Sequence, residues 1–193
     1  MSKLDAANAM TTMTKGWIGA IRRIPSPNCD DRPEGQAVSL IVIHAISLPP
    51  AQFGGDSIER LFTNTLDPGV HPYFAAIRSL RVSAHFLIRR DGELIQFVSC
   101  DKRAWHAGIS CWQGRQRCND FSIGIELEGC DDIPFEDKQY DRLIGLIKLI
   151  RAHYPVAALA GHADIAPERK TDPGPCFAWQ RLAVEGIPPR ITA

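Results

Sequence analysis

Apolar positions along this chain come in short blocks, and the period changes from block to block. Residues 38–44 (Val38-Ser39-Leu40-Ile41-Val42-Ile43-His44) are β-branched and lie between polar residues and Pro49-Pro50. They predict a short buried strand with a histidine at its end. Residues 84–90 and 93–99 flank Asp91-Gly92, a strong hairpin signal. In a further strand over 121–128, alternation sets Glu126 and Glu128 on one face, Ile125 and Leu127 on the other. Gly124 and Gly129 would weaken that strand unless something approaches its backbone closely. Over 136–154 the period becomes helical, with Tyr140, Leu143, Ile144, Ile147 and Ile150 on one face. Asp137 and Asp141 near its start, and Lys148, Arg151 and His153 near its end, complement the helix dipole.

Weaker signals fill the gaps. Ile58, Leu61 and Phe62 predict a short helix over 57–64, and the Gly-, Ser-, Gln- and Arg-rich stretch 105–119 reads as a surface loop. A strand over 156–160 delivers His162, residues 167–175 form a loop stiffened by Pro167, Pro173 and Pro175, and a helix closes the chain over 177–184. Strands mixed with helices, without regular βαβ alternation, predict an α/β fold of the mixed α+β kind, a central mixed β-sheet flanked by helices. No repeat or linker divides the chain, so residues 16–193 are expected to form one domain behind a mobile arm, 1–15.

Composition narrows the function. A hydrophobic share of 45% and a charged share of 23% suit an ordinary globular protein. Lys+Arg and Asp+Glu balance at 22 each, so no net field favours nucleic acid or an anionic membrane. The first residues lack the apolar core of a secretory signal, and a cytoplasmic location is expected. None of the six cysteines shows the spacing of a zinc ribbon, so reduced thiols are expected.

The chemistry gathers elsewhere. His44 ends one apolar run, His162 follows Gly161 after another, and Asp172 sits in the proline-stiffened loop. Two imidazoles and one carboxylate form a common catalytic zinc set, with a fourth position open for water. Such an ion lowers the pKa of bound water from 15.7 to about 7. Lys170 lies two residues before Asp172, and Glu126 is a carboxylate on a strand face. His71, His85 and His153 suit other roles, whereas the pair Trp105-His106 beside Gly108 suits a pocket wall.

Motifs covering the chain from Trp17 to about Phe177 resemble those of the AmpD-type 1,6-anhydro-N-acetylmuramyl-L-alanine amidases, within the amidase_2 and peptidoglycan-recognition-protein superfamily. The matching runs include Pro25-Ser26-Pro27-Asn28, Phe53-Gly54-Gly55, His71-Pro72-Tyr73-Phe74, Arg81-Val82-Ser83-Ala84-His85, Cys118 to Gly129 and Ile165 to Pro175. The resemblance implies a peptidoglycan-recognition-protein-like fold and a cytosolic enzyme of cell-wall recycling carrying one Zn2+. Its small-molecule substrate would be a 1,6-anhydro-muropeptide, cut between the lactyl group and L-alanine, which keeps β-lactamase induction low. It also implies His44, His162 and Asp172 as metal ligands, and Glu126 and Lys170 as the catalytic pair. Arg81, Arg117 and Trp105 would hold substrate. A monomer with no nucleic-acid or membrane partner is expected. One departure stands out at Ala45, a substrate-binding position where the family has Asn. Each amide hydrogen bond lost there costs about 0.5–1.5 kcal/mol. A non-catalytic peptidoglycan-fragment binder and an amidase acting on intact wall are the other readings.

Overall fold

The longest apolar run becomes an inner strand of a six-stranded sheet in the computed structural model of the protein, which describes residues 12–184. In chain order the sheet strands are β3 (Arg22–Arg23), β5 (Leu40–Ile46), β6 (Phe86–Ile88), β7 (Leu94–Gln96), β11 (Ser122–Glu128) and β12 (Ala158–Gly161). Their spatial order is β12-β5-β11-β6-β7-β3. β11 runs parallel to both β5 and β6, β12 parallel to β5, β3 parallel to β7, and β6 antiparallel to β7. Three small antiparallel ribbons surround it: β1 (Met13–Thr14) with β2 (Trp17–Ile18), β4 (Cys29–Asp31) with β8 (Lys102–Ala104), and β9 (Cys111–Trp112) with β10 (Arg115–Gln116). The helices are α1 (Ser57–Phe62), α2 (Pro72–Ile77), α3 (Asp137–His153), α4 (His162–Ile165) and α5 (Trp179–Val184). The mixed sheet flanked by helices is the expected fold class.

Every residue of β11 is buried. Ile123, Ile125 and Leu127 share a core with Leu143, Ile147 and Ile150 of α3. Each such side chain contributes about 1.5–3 kcal/mol by leaving water. The side-chain carbonyl of Gln139 accepts from the Glu136 N–H, and its amide donates to the carbonyls of Ile88 and Glu128, tying the start of α3 to two strands. Leu146 is fully buried and Ile144 only partly, so the apolar stripe of α3 lies slightly off the expected face.

Two sequence expectations need correction. The strand expected over 38–44 forms over Leu40–Ile46, because its ladder continues beside β11 as far as Glu128. His44 is therefore inside the strand. The expected hairpin does form between β6 and β7; in its Asp91-Gly92 turn the Gly92 N–H bonds the Arg89 carbonyl, and of the two residues only Gly92 takes a positive φ, 86°. Such a turn carries a bulge and differs from the two-residue mirror-image type. The stretch 105–119 is not simply a surface loop: Gln113 and Gly114, both left-handed, turn the β9–β10 hairpin, and Ala107, Trp112 and Cys118 are buried. Strands of two residues are too short for alternation to register.

Of the expected N-terminal arm, residues 1–11 lie outside the described residues, while Met13 packs against the core and Ser99 Oγ donates to the Lys15 carbonyl. All six cysteines are unpaired in the structure. Among the described residues no helix is long and apolar enough to cross a membrane.

Candidate metal centre and its cleft

Because β5 and β11 are parallel and in register, His44 lies beside Glu126 and Ala45 beside Leu127. Side chains alternate across a strand, so His44 and Glu126 share one face while Ala45 and Leu127 share the other. His162 arrives as the first residue of α4, immediately after β12. Asp172 comes from the following loop, which is anchored by the Ala163 N–H donating to the Asp172 carbonyl at 2.9 Å.

The three side chains meet. His44 Nδ1 and His162 Nδ1 are 2.9 Å apart, and Asp172 Oδ2 is 3.3 Å from the first and 3.1 Å from the second. A tetrahedral ion with bonds of about 2.0–2.1 Å keeps its ligands roughly 3.3 Å apart. The donor set therefore fits a small divalent cation that takes nitrogen and oxygen. No other group of three potential ligands is found among the described residues.

The outer nitrogens of both imidazoles are also engaged. His44 Nε2 is 2.9 Å from His106 Nδ1, and His162 Nε2 is 3.3 Å from the Ala107 carbonyl. Consecutive residues thus address both rings. The Asn119 side-chain oxygen accepts from the N–H groups of His106 and Ala107, and Arg169 donates to the carbonyls of Ala107 and Ile109.

Electrostatics separate the carboxyl groups. Burial, and then the charge of Asp172, push the Glu126 carboxyl well above its ordinary range against the pull of Lys170. Its Oε2 is buried without a hydrogen-bond partner. Burial would raise Asp172 too, but hydrogen bonds with His162 and His44 hold it well below the usual carboxylate range. Burial lowers His44 to about 4.

A cleft of about 640 Å3 opens over the centre. Trp105, Ala45, Glu126, Lys170, His162 and Asp172 line it. Arg81 and Arg117 are exposed and outside this lining: Arg81 donates to the Arg78 and Leu80 carbonyls, and Arg117 pairs with Asp120 at 3.3 Å. From the sequence His106 stands out only as a pocket wall, and Asn119 and Ser122 only as members of a motif run. The backbone-anchoring role of Asn119 depends on a turn that no periodicity signals.

Comparisons with known proteins agree with the geometry. The family model "N-acetylmuramoyl-L-alanine amidase" matches residues 34–175. The 1,6-anhydro-N-acetylmuramyl-L-alanine amidase AmpD of Citrobacter freundii is 58% identical over 172 residues, covering 88% of this chain and 92% of its own. A crystal structure of a selenomethionine AmpD derivative is similar with a TM-score of 0.88 at 56% identity, covering 90% of this chain and 98% of that one. The Escherichia coli amidase AmiD, solved in complex with the substrate anhydro-N-acetylmuramic acid-L-Ala-D-γ-Glu-L-Lys, gives a TM-score of 0.57 at 34% identity, covering 81% of this chain and 61% of that one.

Proposed function

The chain belongs to the N-acetylmuramoyl-L-alanine amidase family, and on that footing we propose that it hydrolyses the lactyl–L-alanine amide of 1,6-anhydro-muropeptides. The observation that carries this reading is the convergence of His44 Nδ1, His162 Nδ1 and Asp172 Oδ2 at 2.9–3.3 Å on the cleft floor, with Glu126 on the adjoining strand. Held by these three atoms, a zinc ion supplies Lewis-acid activation of water and of the scissile carbonyl.

The chain's own residues do the rest. Glu126 faces the cleft with an unpaired oxygen and a raised proton affinity, as a group that must take and return a proton requires. It accepts a proton from the attacking water as the carbon–oxygen bond forms. It then hands that proton to the alanine nitrogen as the carbon–nitrogen bond breaks. Lys170 offers an ammonium charge to the oxyanion of the tetrahedral intermediate. Trp105 lines the cleft and would face the substrate there, and Arg81 and Arg117 would meet the carboxylates of the stem peptide beyond it.

This reading places the chain in cytoplasmic cell-wall recycling, where clearing anhydro-muropeptides lowers the signal that induces β-lactamase. The protein acts as a monomer. The zinc-loaded protein incubated with anhydro-muropeptide is expected to release free peptide, detected by mass spectrometry. Binding without release would instead support a fragment-binding protein.

A further inference from the structure

His44 is held from behind by a hydrogen-bonded series whose protons have one consistent direction. Its Nδ1 is the atom turned toward His162 and Asp172. A neutral imidazole that offers Nδ1 to a cation carries its proton on Nε2. That Nε2–H points at His106 Nδ1, 2.9 Å away, which must accept. His106 then carries its own proton on Nε2, 3.1 Å from Ser122 Oγ. Ser122 in turn donates to the Cys118 carbonyl at 2.6 Å. A backbone carbonyl can only accept, so the last group fixes the orientation of every group before it.

The surroundings hold His106 in this role. Ser122, Gly124 and Glu126 alternate onto the same face of β11, and the His106 ring lies over Gly124. A Cβ at Gly124 would stand 2.5 Å from the ring carbon Cγ and 2.6 Å from Nδ1. Asn119 fixes the backbone of His106 through the two N–H bonds described above. The ring is thus set in position by a missing side chain beneath it and an anchored backbone beside it.

We infer that His106 is a positioning residue for the metal site: through Nδ1 it fixes the tautomer and ring plane of His44, with Ser122 orienting His106. The inference rests on His44 being a metal ligand. Outer hydrogen bonds of this kind orient a ligand and raise its basicity, and losing one lowers metal affinity about 10- to 100-fold. Ala107 serves His162 in the same way through its carbonyl, so one short segment orients both imidazoles.

The test measures zinc affinity by competition against a chromophoric chelator, together with the Co2+ absorption spectrum and the melting temperature of each metal-free protein. His106→Phe keeps a ring over Gly124 but cannot accept a hydrogen bond from His44 Nε2. It should bind zinc about 10- to 100-fold more weakly, with an altered Co2+ spectrum and a metal-free melting temperature near that of the wild type. His106→Gln, whose side-chain carbonyl can accept, should recover most of that loss. Ser122→Ala touches no ligand and should weaken binding by about two- to tenfold, the worth of one hydrogen bond. Wild-type affinity in His106→Phe, or no advantage of Gln over Phe, overturns the inference while leaving the amidase reading standing. If His106→Phe does not fold, Ser122→Ala decides: unchanged affinity there overturns it. Failure of the wild-type protein to bind zinc removes both readings together.

Discussion

At the scale of single residues, the cleft sets two carboxyl groups apart by environment alone. Asp172 is held ionised by two imidazoles, while Glu126 is buried with one oxygen unpaired. Replacing Glu126 by Gln keeps the shape but removes the proposed proton carrier. The variant is expected to retain its metal, by elemental analysis, and to lose about 10²- to 10⁴-fold in turnover of anhydro-muropeptide. Ala45 lies on the other sheet face, its methyl against the core, yet it borders the cleft. Placing there the Asn that the family resemblance implies would offer a bound peptide one donor and one acceptor. At about 0.5–1.5 kcal/mol for each of these two hydrogen bonds, the KM of Ala45→Asn should fall roughly 5- to 150-fold, with kcat little changed. An unchanged KM would show that the peptide makes no use of that position.

At the scale of elements, β11 is where the sequence was most legible and also where it concealed most. Its alternation gave the carboxylate face and the core face, and its glycines pointed to a close neighbour. The structure supplies those neighbours as the rings of His106 over Gly124 and Phe135 over Gly129. Gly124→Ala is therefore expected to displace the His106 ring. Overpacking of this sort costs about 1–3 kcal/mol, read as a lower urea midpoint. Weaker zinc binding should accompany it. The three candidate metal ligands could be read from apolar runs, loop composition and family motifs. The groups behind them could not, because His106, Asn119 and Ser122 meet only through tertiary folding. Arg32 makes the same point. Its guanidinium donates to the carbonyls of Cys100, Asn119, Asp120 and Ser122, joining segments far apart in sequence, and nothing local in the chain marks it.

At the scale of the whole molecule, neutral imidazoles buried under the sheet couple stability to pH. Burial first, then the charge of Arg32, bring His85 down to about 3. An unfolded histidine titrates near 6.5, so between roughly pH 6.5 and 3 the unfolded chain binds the extra proton. Stability should therefore fall as the pH drops through that window, by up to about 1.4 kcal/mol per unit for this group. Urea unfolding of the metal-free protein between pH 7 and 4 measures it, and His85→Gln should give a shallower slope. Equal slopes would mean that His85 does not carry the effect.

The site is also divided between two kinds of support. His44 and Glu126 stand on adjacent inner strands, whereas Asp172 and Lys170 ride on the loop after α4. On heating, a loop held by a few backbone bonds opens before a buried parallel ladder does. Loss of the ion should then begin while the sheet is still intact, and cooling from that stage with zinc present should return full activity. The protein would wear out first at its rim, in a reversible step, with the strand-borne half of the machinery left in place to be rebuilt upon.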